Sequence, residues 1–385
     1  MFYIKKIIKF VRDFLIDNIL AKVFFLLPIT DTIFIESVPN LSDSPKEIFD
    51  ELLRRNFNEK YKFVWWLYDD SGMCPQIKNV IYLNSSNRLI FKYYEYTSRC
   101  LISCNRFLES HRKKQKSFYI IHGSPIKKTE GYYILPKGVD YFFCASEKFK
   151  KDVAKQLGVV PTKGIGLGLP RNDVLGTDAC DLSVFFHRTF NKVIVWYPTF
   201  RQHKAGMKTG SLYAFPIIHD LHDMKRLNTY AREKNILIVI KPHFAQDLSA
   251  VNVTELSNIQ FINDNFFKEH GISSYEFVNS CDALISDYSS IYYDYLLCDK
   301  PIALAWEDYE EYKKNPGFSV NIEYYCKGGE KIFNLDDLEK FVDNIANEKD
   351  QLRKERHEIN SIVNYASDHM NTVRVTNKII ELSSL

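Results

Sequence analysis

The residues best suited to chemistry lie in three short segments of the second half of the chain: Leu284 to Ser290, Val239 to His243, and Gly168 to Asp173. Each begins where an apolar run gives way to small, polar or basic residues. In an open α/β sheet that position is the carboxyl end of a strand, where ligand crevices form. Ser289 and Ser290 follow Asp287 and Tyr288 and precede an Ile-Tyr-Tyr-Asp-Tyr helix pattern, so they fall at a helix start, where free N–H groups attract a phosphate. Capping the helix is the alternative role for a serine there, and Asp294 one turn on is either structural or a partner for a ligand hydroxyl. His243, two residues after Lys241, is a donor to a departing phosphate or a satisfied structural histidine. Arg171 with Asn172 and Asp173 follows a Gly-Leu-Pro turn. Arginine at such a site suits bidentate phosphate recognition or, alternatively, an inter-domain salt bridge.

Two further segments extend this pattern. His122-Gly123-Ser124-Pro125 directly follows the apolar run Ser117–Ile121. The histidine can serve as a base near neutral pH, the glycine admits close approach, and Lys127 and Lys128 add positive potential. Pro198-Thr199-Phe200-Arg201 ends another apolar run and opens a loop with His203, Lys204 and Lys208. That loop either meets a second anionic substrate or is solvated surface.

Apolar runs of strand length at 32–37, 62–68, 79–83, 117–121, 141–145, 193–197, 236–240 and 282–286 are separated by helix-length segments. Among the latter are 42–53, with Pro45 in its first turn, 147–157, and the tail from about Leu335. This alternation predicts an α/β chain with parallel, doubly wound sheets. A glycine-rich connection at Gly166–Pro170 breaks the periodicity. It divides the chain into two similar domains, 1–166 and 167–385, expected to face one another across a cleft.

Length, composition and absent motifs narrow the class. The 385 residues exceed one typical core, and 45% apolar with 26% charged residues describes a globular chain. A formal charge of +3 gives no global field for nucleic acid. The eight cysteines form no CxxC pair, which reads as a reducing compartment without structural zinc. There is no GxxxxGK[ST], no GxGxxG opening a helix and no DxD-like pair after a strand, so helix dipoles and basic side chains are expected to replace a bound metal. Ile4, Ile7, Ile8, Val11 and Leu15 share a helical face, with Lys5, Lys6, Lys9 and Arg12 elsewhere around it. Residues 1–15 are therefore expected to lie on an anionic membrane surface or to pack as a terminal helix. A signal peptide and a spanning helix are both disfavoured by Asp13, Asp17 and Lys22. The basic run 111–116 is assigned to surface or membrane contact.

Taken in order, these segments resemble the CDP-glycerol glycerophosphotransferases of teichoic acid and capsule synthesis. The resemblance is carried by Glu36 to Phe49, His122 to Lys128, Gly168 to Asp173, Tyr197 to Arg201, Lys241 to His243 and Ile285 to Tyr295. It implies a GT-B fold, two Rossmann-like domains with the activated donor held mainly by the second. It also implies transfer of a polyol phosphate from a CDP-polyol to a hydroxyl of a lipid-linked or capsular glycan, with release of CMP and no cofactor. On this resemblance His122 is the base that deprotonates the acceptor, with Gly123, Ser124, Lys127 and Lys128 on the acceptor side. His243, Arg171, Ser289 and Ser290 hold the donor pyrophosphate, together with Asn172, Asp173, Thr199, Arg201, Lys241 and Asp287. Lys241-Pro242-His243-Phe244 stands where the family usually has Arg-x-His-Pro, so the polyol, glycerol or ribitol, stays open. A glycosyltransferase using a CMP- or UDP-sugar and a non-catalytic glycan-binding protein are the alternatives. The expected location is peripheral, at the cytoplasmic face of the membrane.

Overall fold

A computed structural model of the protein describes residues 12, 15–16, 19–68, 74–84, 88–128, 134–199, 216–242 and 256–385. Thirteen strands occur among them: β1 Thr30–Glu36, β2 Lys62–Leu67, β3 Val80–Asn84, β4 Ser98–Ser103, β5 Lys116–Ile120, β6 Tyr141–Cys144, β7 Gly164–Gly166, β8 Lys192–Trp196, β9 Ile236–Ile240, β10 Ile259–Phe261, β11 Ala283–Ser286, β12 Ile302–Ala305 and β13 Glu330–Ile332. They form two sheets, ordered β3-β2-β1-β4-β5-β6-β7 and β10-β9-β8-β11-β12-β13, and every strand pairing is parallel. The runs Lys-Val-Ile-Val-Trp and Ile-Leu-Ile-Val-Ile become β8 and β9, and β9 is buried along its whole length, as a strand covered on both faces must be.

The chain divides into two compact units. The first comprises Met1–Ser124, Gly131–Asp173 and Met370–Leu385; the second comprises Pro125–Glu130 and Val174–His369. This differs from the expected split at 166 in three ways. The break falls after Asp173, the short segment from Pro125 belongs to the second unit, and the last helix, Asn371–Ser383, returns to the first. The return is fixed chemically. Asp173 accepts from the N–H groups of Asn371 and Thr372 at 2.8 and 2.7 Å, capping the helix, while Arg55 donates to Asn377 at 2.6 Å. Gly168, at φ +91°, allows this approach, since a Cβ there would lie 1.9 Å from Asn371 Oδ1.

In each unit the chain runs outward along one side of the sheet and then restarts beside the first strand. That places a topological switch point between β1 and β4 in the first unit and between β8 and β11 in the second. Loops leaving the carboxyl ends of such strand pairs diverge and leave a crevice. No helix among the described residues is long and apolar enough to cross a membrane. Residues 4–11, which carry most of the basic amphipathic pattern, lie outside the described residues.

Candidate active site

In the first unit three side chains from separate strand ends meet: Asp43 after β1, His122 after β5 and Arg171 after β7. Asp43 Oδ2 lies 2.8 Å from His122 Nδ1. Arg171 Nη1 donates to both Asp43 oxygens at 3.0 Å and to the His122 carbonyl oxygen at 2.5 Å. The backbone N–H of Arg171 donates to Ser44 Oγ at 3.4 Å. The carboxylate is nearly enclosed at 9% side-chain exposure, whereas the imidazole is 58% exposed, so the histidine is tethered on one edge and open on the other. Burial pushes the Asp43 carboxyl up, but Arg171, the His122 contacts and the Ser44 N–H outweigh it and hold the group well below the usual carboxylate range. An ionised carboxylate only accepts, so Nδ1 carries the proton and Nε2 presents its lone pair.

The loop that delivers Asp43 is tied down at the switch point. Glu36, fully buried at the end of β1, accepts from the N–H groups of Asn105 and Arg106 after β4 at 3.2 and 2.8 Å, and from Tyr68 Oη at 2.9 Å. Val38 N–H donates to Asn105 Oδ1 at 2.7 Å. Ser42 N–H donates to Ser37 Oγ at 3.1 Å, and Ser42 Oγ to the Pro39 carbonyl at 2.6 Å. Asp43 then opens the helix Asp43–Arg54 at φ +58°, a left-handed conformation that aspartate adopts more readily than most residues.

Arg171 is the cation expected beside the donor pyrophosphate. It belongs to the first unit, is 5% exposed, and spends its guanidinium on Asp43 and His122. Asp173 is likewise occupied, as the cap of the last helix, and Asn172 is buried beside it with its N–H on the Leu169 carbonyl. Gly123 is half-buried. Ser124 is 6% exposed, and its hydroxyl has no hydrogen-bond partner among the described residues. Asp43 is the site residue that sequence reasoning missed. The only signal was its place inside the Glu36–Phe49 segment, just before a helix start.

Asp43, Cys104 and His122 bring one potential metal-ligand atom each within 4.8 Å of one another. The donor set suits a cation poorly. Asp43 is already neutralised by Arg171, and burial raises the Cys104 thiol well above its ordinary value while its Sγ contacts Asn105 Oδ1 at 2.8 Å.

In the second unit the turn 287–290 occupies the β8/β11 switch point. Asp287 is fully buried and accepts from Thr199 N–H at 3.2 and 3.0 Å and from Thr199 Oγ1 at 2.9 Å. Ser286 Oγ donates to the Tyr197 carbonyl at 3.2 Å. Asp287 and Thr199, both expected to touch phosphate, bind each other and tie the two loops together. Ser289 and Ser290 are half-buried, and Ser290 makes no side-chain cap bond to the helix Ile291–Tyr295, so the capping role is not used. Asp294 is buried and accepts from Tyr275 Oη at 2.7 Å, a structural role. Lys241 pairs with Asp264 at 3.0 Å. Arg201 and His243 lie outside the described residues. Lys127 and Lys128, expected on the acceptor side with His122, belong to the second unit.

Known proteins resemble the chain along most of its length. Residues 19–381 match the family model described as CDP-Glycerol:Poly(glycerophosphate) glycerophosphotransferase. Teichoic acid ribitol-phosphate polymerase TarL of Staphylococcus aureus is 25% identical over 317 residues, 76% of this chain and 53% of the relative. A teichoic acid poly(glycerol phosphate) polymerase of Bacillus spizizenii is 24% identical over 342 residues, 81% of this chain and 84% of the relative. The chain thus spans about half the length of TarL. The solved wall teichoic acid polymerase TagF shares the fold, at TM-score 0.74 and 19% identity over 99% of this chain and 98% of that one. With a family model spanning nearly its whole length, the chain belongs to the CDP-glycerol:poly(glycerophosphate) glycerophosphotransferase family.

Proposed function

We propose that this protein transfers a polyol phosphate, glycerol phosphate foremost, from a CDP-polyol to a hydroxyl of a lipid-linked or capsular glycan. The observation that carries the reading is the Asp43–His122 pair in a member of this family. His122 Nε2 takes the proton of the acceptor hydroxyl as its oxygen attacks the phosphorus next to the polyol. A new O–P bond forms, the P–O bond to the cytidylate phosphate breaks, and CMP leaves with the bonding electrons. Positioning and charge stabilisation supply most of the acceleration in such transfers. Asp43 keeps the proton on Nδ1 and stabilises the imidazolium as it forms.

The donor belongs to the second unit, over the turn 287–290, with the hydroxyls of Ser289 and Ser290 facing its phosphates and His243 donating to the leaving group. A GT-B arrangement of the units, facing across a cleft, would bring donor and base together. Variant TagF, a structural neighbour, has been soaked with CDPG. No metal is required in this reading, because the carboxylate beside the base is committed to Arg171.

Peripheral attachment to the cytoplasmic face of the membrane is part of the proposal. Beyond the basic pattern of residues 1–15, Ile19, Val23 and Leu26 are 57%, 57% and 84% exposed. Arg112 donates to the Leu27 carbonyl at 2.5 Å, which sets the basic run 111–116 beside this apolar segment. The test is CMP release from CDP-glycerol and CDP-ribitol with a lipid-disaccharide acceptor. Turnover only with nucleotide sugars would favour a glycosyltransferase.

A further inference from the structure

Separate elements of the first unit deliver Asp43, His122 and Arg171, and the helix Asn371–Ser383 touches each of them. It packs against the helix Asp43–Arg54 and against β5, which leads to His122. Val375, Thr376 and Ile379 on this helix are fully buried. Its first turn grips the remaining element, the turn from Leu167 to Asp173 that carries Arg171.

The grip is made at both ends of that turn. Arg374 Nε donates to the Leu167 carbonyl at 3.2 Å, and Thr372 Oγ1 to the Pro170 carbonyl at 3.4 Å. Asp173 closes the other end on the N–H groups of Asn371 and Thr372. Arg374 Nη2 also donates to Asn371 Oδ1, so one guanidinium ties the helix start to the turn. Asn371 is 3% exposed, and its Oδ1 occupies the space that a side chain at Gly168 would need.

Arg171 stands between these anchors, four residues after Leu167 and two before Asp173. A long arginine side chain holds one geometry only at a cost in rotamer freedom, which a fixed stem reduces. From this fixed stem the Arg171 N–H meets Ser44 Oγ, and the guanidinium reaches both Asp43 oxygens and the His122 carbonyl. Among the described residues, the other partners of the Asp43 carboxylate are His122 and the Ser44 N–H. A turn that shifts therefore releases the carboxylate on its buried side and takes from Nδ1 the acceptor that keeps a proton there.

We propose that Asp173 and Arg374 are positioning residues for the His122 base: they fix Arg171, which fixes Asp43, which holds the proton on His122 Nδ1. The kinetic consequence rests on the proposed function, whereas the imidazole geometry does not. The full chain is compared as wild type, Arg374→Ala, Arg374→Lys and Asp173→Asn, each below its melting transition. The readouts are CMP release, CDP-glycerol binding and nitrogen NMR of the histidine rings, with His122→Ala identifying the His122 signals. Wild-type His122 shows the Nδ1-protonated tautomer. In Arg374→Ala and Asp173→Asn it moves toward Nε2 protonation and kcat falls about tenfold or more, while the Kd for CDP-glycerol is unchanged. Arg374→Lys, which keeps a donor for Leu167, recovers part of both. It also carries the comparison if the other two variants do not fold, its tautomer then lying between wild type and the Nε2 form. A wild-type tautomer in the folded variants overturns the proposal, whether or not kcat falls. A raised Kd for CDP-glycerol with that tautomer makes Asp173 or Arg374 a donor ligand instead. A wild type that releases CMP from no CDP-polyol overturns the proposed function alone, since the tautomer still reads the positioning.

Discussion

Asp43 Oδ2 sits 2.8 Å from His122 Nδ1, and the same carboxylate is gripped by Arg171 at 3.0 Å on the side away from solvent. The aspartate is thereby ionised, immobile and acceptor-only, and one histidine tautomer is selected. The exposed nitrogen is the one free to take a proton.

Asp43→Asn tests the tautomer directly. Asparagine tolerates the left-handed backbone at this position, so the fold should survive. Its amide can donate to Nδ1 and favour the opposite tautomer. The kcat for CMP release should fall about 100-fold or more, within the range general-base catalysis supplies, while the KM for the CDP donor changes little. A variant with wild-type kcat would remove Asp43 from the mechanism.

The depressed carboxyl of Asp43 also fixes a pH window. Its folded affinity for protons is lower than its unfolded one, whose ordinary value is 3.8. The stability it confers is therefore complete above roughly pH 5 and drains away as pH falls below about 4 toward the folded value. Denaturant titrations of wild type and Asp43→Asn from pH 7 to pH 3 should show a gap that narrows below about pH 5. A gap that stays constant to pH 3 would mean that the Asp43–Arg171 pair is not formed.

Thr199 separates a structural from a ligand role in the second unit. Its hydroxyl donates to the fully buried Asp287, and Thr199→Val leaves that carboxylate short of one bond. The expected loss is about 1–3 kcal/mol of folding stability, read by chemical denaturation. Donor KM should rise only modestly. A strongly raised Kd for CDP at unchanged stability would instead make Thr199 a phosphate ligand, as its sequence position suggests.

The long apolar runs were legible: β5, β8 and β9 lie within a residue of where the alternation of strands and helices puts them. β4 was not, although it is central to its sheet. It begins directly after the helix Arg88–Thr97 without a turn signal, carries only Cys100, Leu101 and Ile102 as a core run, and is interrupted by Arg99, which pairs with Asp31. β7, β10 and β13 are three residues long, too short for a period to register. At the site, residue types were readable and partners were not. Arg171 stood out as a cation after a fixed turn. The anion it serves comes from 128 residues away and from a helix start that looked ordinary. Asp173 and Asp287 show the same limit, since each satisfies backbone N–H groups that only the folded chain brings near it.

The most direct test is CMP release from saturating CDP-glycerol and CDP-ribitol, with acceptor present, for wild type and His122→Ala, alongside CDP binding to both. Turnover of one CDP-polyol by the wild type, lost about 100-fold or more in the variant with CDP binding intact, is the predicted result. Equal turnover by both proteins would contradict the assignment of His122 as the base.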